Sequence, residues 1–240
     1  MNKNVGVISI IILVIGVIGI FFLSITGYSI FVLKPNLLLH FNSNIDIIND
    51  TNNGIYSIFD TELIDDEIFG KTYNFSGKGN IRTVKKIFVN NSKGYSISAI
   101  AYVNDNESHN SLGIVSTSFQ NSTSGFRMKY RDFEEADRLY IDIGTTKNEV
   151  YYEIPKGKCY KKWCHYAFTY NPNGDVKVYL NGEKVKEFKS LRNLNFNSRI
   201  NIGNTIDINR EFFKGKIFDV QIYEGVLSDK QIKKISENIL

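Results

Sequence analysis

The sequence predicts an all-β domain, a two-sheet antiparallel β-sandwich of jelly-roll type, with one N-terminal transmembrane helix before it and one short C-terminal helix after it. Three observations carry this. Beyond Lys34 the chain is a succession of short runs rich in Ile, Val, Phe and Tyr, separated by Asn, Gly, Asp and Ser clusters. Helical periodicity is confined to the C-terminal end, and strands without helical crossovers pack as antiparallel sheets face to face. Val5 to Leu33, by contrast, contains no charged side chain.

That uncharged run is apolar on every face, which suits lipid. About 20 apolar residues cross the roughly 30 Å hydrocarbon core as a helix, so this run of about 29 leaves room for tilt. Gly6, Gly16 and Gly19 lack the four-residue spacing of a helix-dimerisation motif. A cleaved signal peptide is the competing reading, with Lys3 as its positive start and Ile25-Thr26-Gly27 as a small-residue site. The apolar stretch is about twice the usual signal-peptide length, so a retained anchor is preferred. The short flank before it makes translocation of the C-terminal part the simplest topology. Residues 1–34 are therefore expected to be a single-pass membrane anchor and residues 35–240 an extracellular domain, secreted if the anchor is cleaved.

Composition supports a folded domain, with 42% hydrophobic and 13% aromatic residues against 22% charged. With Lys3 and Lys34 set aside, 27 basic residues face 25 acidic ones, too weak and dispersed a balance for a nucleic-acid partner. Cys159 and Cys164 are close enough in sequence for a small disulfide loop in an oxidising exterior. The alternative is two reduced thiols, one of them buried beside Trp163. With His40, His109 and His165 dispersed, the two cysteines do not make a zinc site. Sequons at Asn49, Asn74, Asn90, Asn106 and Asn121 are a modest excess over chance and permit glycosylation.

In chain order, strands are expected at Leu37 to Phe41 and Lys71 to Phe75, then at Tyr95 to Val103, where Tyr95, Ile97, Ala99, Ala101 and Val103 share one side. Others follow at Gly113 to Ser116, Gly125 to Tyr130, Leu139 to Ile143 and Glu149 to Ile154. A three-strand meander comes next. Tyr166, Phe168 and Tyr170 share a face before the turn Asn171-Pro172-Asn173-Gly174. Val176, Val178 and Leu180 then alternate into Asn181-Gly182, a type I′ hairpin dipeptide, and Val185 to Phe188 returns. Ile200 to Ile202 and Lys214 to Tyr223 close the set. Ser228, as N-cap before Ile232, Ile235 and Ile239, starts the helix.

From Leu37 to Ser228 these pieces resemble the laminin G-like domains of the concanavalin A-like lectin/glucanase superfamily. Leu38-Leu39-His40-Phe41 resembles the family's first strand, and Gly70-Lys71-Thr72-Tyr73-Asn74-Phe75-Ser76-Gly77 its Gly-Lys-x-x-x-Phe-x-Gly element. Tyr95-Ser96-Ile97-Ser98-Ala99 resembles the next strand motif, with Ile100 where Trp is usual. Trp163-Cys164-His165 resembles the Trp-x-His strand, and Tyr179-Leu180-Asn181-Gly182 the Tyr-x-Asn/Asp-Gly hairpin. Ile202-Gly203 and the stretch Phe213 to Tyr223, ending in Val226-Leu227-Ser228, resemble the closing strands. These motifs have structural explanations, and Trp163 is expected to fill core.

The resemblance implies an extracellular module that binds glycans, proteins or lipids, and a shared fold does not choose among them. It also implies a structural calcium ion near Asp219, with Asn42 standing where an Asp is common. Exposed aromatic faces bind sugars, which makes Tyr102, Tyr130, Tyr140, Tyr151 and Tyr152 candidates. The glucanase branch carries its catalytic carboxylates on an alternating Glu-x-Asp-x-Glu strand. Asp132-Phe133-Glu134-Glu135-Ala136-Asp137 lacks that alternation and reads as an acidic loop, so no catalytic residue is assigned. The expectation is a membrane-anchored, non-catalytic module binding carbohydrate or a cell-surface protein. A structural subunit of a cell-envelope assembly stands second, and a glycoside hydrolase third.

Overall fold

The computed structural model describes residues 35–43, 56–104, 111–117, 125–144, 149–190, 195–205 and 211–237. The expected anchor, Ile239 and the sequons at Asn49, Asn106 and Asn121 lie outside them. No helix among the described residues is long and apolar enough to cross a membrane.

The domain is built from β1 (Asn36–Asn42), β2 (Tyr56–Asp66), β3 (Gly70–Thr83), β4 (Ile87–Val89), β5 (Tyr95–Val103), β6 (Ser111–Thr117), β7 (Phe126–Arg131) and β8 (Ala136–Ile143). It continues with β9 (Glu149–Pro155), β10 (Trp163–Tyr170), β11 (Asp175–Leu180), β12 (Glu183–Lys189), β13 (Phe196–Ser198), β14 (Ile200–Ile202), β15 (Lys214–Glu224) and α1 (Asp229–Glu237). Both layers are made by one continuous 13-stranded antiparallel sheet that runs β12-β11-β10-β5-β15-β3-β14-β6-β7-β8-β9, with β1 also on β15 and β2 on β3, and a separate two-stranded sheet pairs β13 with β4. The long sheet turns over at β3. Tyr73 pairs with Ile217 of β15, while Ile81 pairs with Ile202 of β14, so one long strand serves both layers.

Core and surface follow from strand alternation. On β5, Tyr95, Ile97, Ala99, Ala101 and Val103 are all fully buried, and on β10 so are Tyr166, Phe168 and Tyr170. From the second layer Phe126 meets them, with ring centroids 5.7 Å from Phe168 and 6.3 Å from Tyr95. Asn181 and Gly182 both have positive φ, 50° and 80°, as a type I′ hairpin requires. Ser228 caps α1 reciprocally, its Oγ accepting from the Gln231 N–H while Gln231 Oε1 accepts from the Ser228 N–H at 2.9 Å. Leu227 and Ile232 then pack with Ala167 and Tyr179 on the outer face of the first layer.

Three strands were not expected from the sequence: β2, β4 and β13. The reason is clearest at β2, where a bulge between Phe59 and Thr61 interrupts the pairing and Asp60 takes a positive φ of 45°. The bulge breaks the two-residue period by which strands are recognised. β3 runs from Gly70 to Thr83, well beyond the expected Lys71 to Phe75.

Candidate functional site

The outer face of the first layer carries a group of aromatic rings on β5, β10, β15 and the β2–β3 turn. Register places Lys216 opposite Tyr102 and Tyr102 opposite Trp163, so the three stand in one cross-strand row. Trp163 is not core. Its neighbours Cys164, Tyr166, Phe168 and Tyr170 occupy the inward phase of β10, so Trp163 points outward and is half-buried. Its ring lies 5.7 Å from Tyr102 and meets Phe69 edge-on at 4.8 Å. Phe69 in turn stacks on Phe218 at 4.2 Å.

Two local devices hold these rings. Phe218 is the bulged residue of β15, between Ile217 and Asp219, which places its side chain outside the regular ladder. Phe69 is set by Asp66, whose Oδ1 accepts the backbone N–H groups of Ile68 at 3.0 Å and Phe69 at 3.3 Å. Asp66 Oδ2 accepts from Lys216 Nζ at 2.7 Å. Burial works against ionisation of Asp66, but the bonds from Lys216, Ile68 and Phe69 outweigh it and hold its pKa below the usual value. The shared ammonium of Lys216 lies 5.2 Å from the Tyr102 centroid and 6.0 Å from that of Trp163.

The chain enters Trp163 through a clipped loop. Cys159 and Cys164 are joined by a disulfide with Cα atoms 5.7 Å apart. The Lys161 N–H also donates to the Val103 carbonyl at 2.9 Å, tying the loop to the residue after Tyr102. Ordering of the rings is therefore built into the fold.

The five candidate tyrosines separate. Tyr102 belongs to the group just described. Tyr130 is a correction, because it lies on the inward phase of β7 with Phe126 and Met128 and is 0% exposed, out of reach of a ligand. Tyr152 is a second correction, since it shares the inward phase of β9 with Ile154 and packs against the core. Tyr140 and Tyr151 neighbour each other on the outer face of the second layer at 5.5 Å. There the chain's own cations cover the rings. Arg138 lies 4.5 Å and Lys186 5.4 Å from the Tyr151 centroid, and Lys129 lies 5.5 Å from that of Tyr140. Arg138 is also 4.3 Å from Phe133.

Asn42 and Asp219 are brought together across the β1–β15 ladder. Asp219 Oδ1 accepts from Asn42 Nδ2 at 3.0 Å and bonds His40 Nε2 at 2.8 Å, while Oδ2 accepts from Gln221 Nε2 at 2.8 Å. Calcium takes six to eight oxygen ligands. Here nitrogen groups surround a single carboxylate, and no group of three or more metal-binding side chains occurs among the described residues. The arrangement does not suit that ion.

In the acidic stretch, Asp132 and Asp137 both bond Lys156, and Asp137 is fully buried. Burial raises the Asp137 pKa against the pull of Lys156. Glu134 and Glu135 are exposed on the turn between β7 and β8. His165, two residues beyond Trp163, is buried, with Nε2 2.8 Å from Ser98 Oγ. Desolvation lowers its pKa to about 4.

The group of rings was only partly visible in the sequence. The phase of Trp163 against Tyr166, Phe168 and Tyr170 was the available signal that it lies on the outer face. Nothing in the linear pattern pointed to Phe69 or Phe218, which a hairpin turn and a bulge bring in.

Residues 75–233 match the family described as the concanavalin A-like lectin/glucanases superfamily, in its laminin G-like form. No curated protein matches the chain. Among solved structures, domain 4 of AbnA, a GH43 extracellular arabinanase from Geobacillus stearothermophilus solved in complex with arabinotriose, is 22% identical with a TM-score of 0.63. The match covers 84% of this chain and 98% of that one. The botulinum neurotoxin serotype D binding domain is 18% identical, with a TM-score of 0.62, over 85% of this chain and 51% of its own. The binding domain of Paraclostridial Mosquitocidal Protein 1 is 15% identical, with a TM-score of 0.64, over 85% of this chain and 52% of its own. The chain thus spans about half the length of these two toxin domains. At such identities the likeness is one of fold.

Proposed function

The chain belongs to the concanavalin A-like lectin/glucanases superfamily as a laminin G-like domain, and from that premise we propose that it is a recognition module that binds carbohydrate on the Tyr102–Trp163 surface and performs no chemistry. The observation that carries this is Trp163 itself: a half-buried indole on a sheet face, braced edge-on by Phe69 and beside Tyr102. Aromatic rings fixed in this way offer apolar area to a sugar ring at little cost in conformational entropy, and Asp66 and Lys216 supply polar groups at the rim. The AbnA domain, nearly all of which this chain matches, is seen with arabinotriose, and this supports the same class of ligand here.

Absence of chemistry is the simpler reading of the acidic stretch, because Asp132 and Asp137 share Lys156 as partner. We further propose that residues 1–34 hold the domain at the outer face of a membrane. Protease treatment of intact cells carrying a C-terminal tag tests this, and a tag shielded from the protease contradicts it. A subunit of an envelope assembly is the second reading, favoured by β2, which among the described residues pairs only with β3 and exposes Ile58, Phe59 and Leu63. Sedimentation of the purified chain distinguishes the two. The carbohydrate reading is tested on a glycan array, where Trp163→Ala is expected to lose binding that the parent protein shows.

A further inference from the structure

We propose that the ligand of this surface is an anionic glycan, with a sugar ring against Tyr102 and Trp163 and its carboxylate or sulfate held by Lys158, Lys161 and Lys162. The inference rests on the carbohydrate reading above and narrows it. Between Glu153 and Asp175 the chain contains no carboxylate side chain but carries Lys156, Lys158, Lys161 and Lys162. Lys156 is engaged by Asp132 and Asp137. The other three are exposed, and none forms an ion pair among the described residues.

Their placement is fixed by the clipped loop. Lys162 adjoins Trp163, the Lys162 N–H donates to the Cys159 carbonyl at 3.2 Å, and the Lys158 N–H donates to the Pro155 carbonyl at 3.0 Å. Lys161 is tied through its N–H to Val103, the neighbour of Tyr102, and its ammonium lies 5.3 Å from the Tyr160 centroid. Across the rings, β15 brings Lys214 onto the same outward phase as Lys216. Lys216 is neutralised by Asp66, but Lys214 has no ionic partner among the described residues. The carboxylate beside the rings is Asp66, which is spent on Lys216, and in the row that runs through Tyr102 the next is Glu62, three strands away through Asn74 and Lys216.

The ring pair is thus adjoined, in sequence and register, by lysines without ionic partners among the described residues, on a backbone held by a disulfide and main-chain hydrogen bonds. A neutral sugar would leave these like charges uncompensated. An anionic one would relieve them without ordering a loop, so little of the attraction is lost to entropy. Contacts made by exposed ammonium groups are screened by salt, which gives the proposal a signature that ring stacking lacks.

The test is calorimetric titration of the full-length chain with matched pairs: oligogalacturonate and its methyl ester, a heparin oligosaccharide and its desulfated form, sialyllactose and lactose. At least one charged member is expected to bind about tenfold or more tighter than its neutral partner, with affinity falling as salt rises. Lys158→Gln, Lys161→Gln and Lys162→Gln combined should erase that preference and flatten the salt dependence without moving Tm, whereas Trp163→Ala should weaken both members. Equal affinity within every pair, or a triple variant indistinguishable from the parent, overturns the inference and leaves the carbohydrate reading standing. Failure of every glycan to bind, or charged-glycan binding unchanged in Trp163→Ala, overturns both.

Discussion

Two outer faces of this sandwich carry aromatic rings beside cations, and they differ in what the rings are left free to do. On the second layer, Phe133 has Arg131 at 4.7 Å and Arg138 at 4.3 Å, and Tyr151 has Arg138 and Lys186. On the first layer a single ammonium, Lys216, serves both Tyr102 and Trp163, while Phe69 and Phe218 contact rings. The second-layer rings are used up by the chain's own charges. Lys186 even crosses to the Tyr151 carbonyl at 2.6 Å, joining the two end strands of the sheet path. Composition alone would rank the two faces alike; ring occupancy separates the face proposed to bind a ligand from the one covered by its own cations.

The sharpest way to break the first face is at its backbone. A Cβ at Gly215 would lie 2.1 Å from the Tyr102 carbonyl oxygen, at a φ of +146° that side chains rarely adopt. Gly215→Ala should push β15 off β5 and cost about 3 kcal/mol or more in chemical denaturation. An unchanged midpoint would mean that the two strands do not approach as described.

A comparable effect is expected from acid. His165 stays neutral in the fold down to about pH 4, whereas in the unfolded chain it titrates near its ordinary value of 6.5. As pH falls through that window the unfolded state takes up a proton that the folded state refuses. Stability is full above 6.5 and declines toward 4 by an amount of order 3 kcal/mol. His165→Gln should flatten the stability profile across this range, and an equally steep profile in that variant would assign the acid sensitivity elsewhere.

Removing the clip is expected to cost somewhat less. Cys159→Ser with Cys164→Ser opens a short loop and should lower unfolding free energy by about 2 kcal/mol. It should also weaken glycan binding, because Trp163 adjoins the bridge. Loss of stability with binding intact would show that the rings are held without it. The smallest effect belongs to the second face, where Arg138→Ala removes cation–ring contacts, and it should lower Tm only slightly and leave ligand affinity untouched.

The sandwich was legible because large apolar side chains recur at every second residue, as at Tyr95 to Val103 and Tyr166 to Tyr170, although the smaller residues between them are buried as well. The hairpin at Asn181-Gly182 and the cap at Ser228 were legible because turn and cap chemistry is local. β2 was not, since the bulge at Asp60 shifts its phase midway. Of the site, Tyr102 was within reach of pattern reasoning. Trp163 was read as core although its phase opposes that of the core residues beside it. The covering of Tyr151 by Arg138 and Lys186 depends on cross-strand register and on the meeting of two sheet ends, which no local pattern records.

Trp163 is the only tryptophan in the chain, so its emission reports on the first face alone. The most direct measurement is a fluorescence titration of the parent protein and of Tyr151→Ala with a glycan identified on the array. The account predicts saturable change in Trp163 emission with the same dissociation constant in both proteins. A glycan that binds by calorimetry without altering Trp163 emission, and whose binding Tyr151→Ala abolishes, would place the ligand on the opposite face and contradict it.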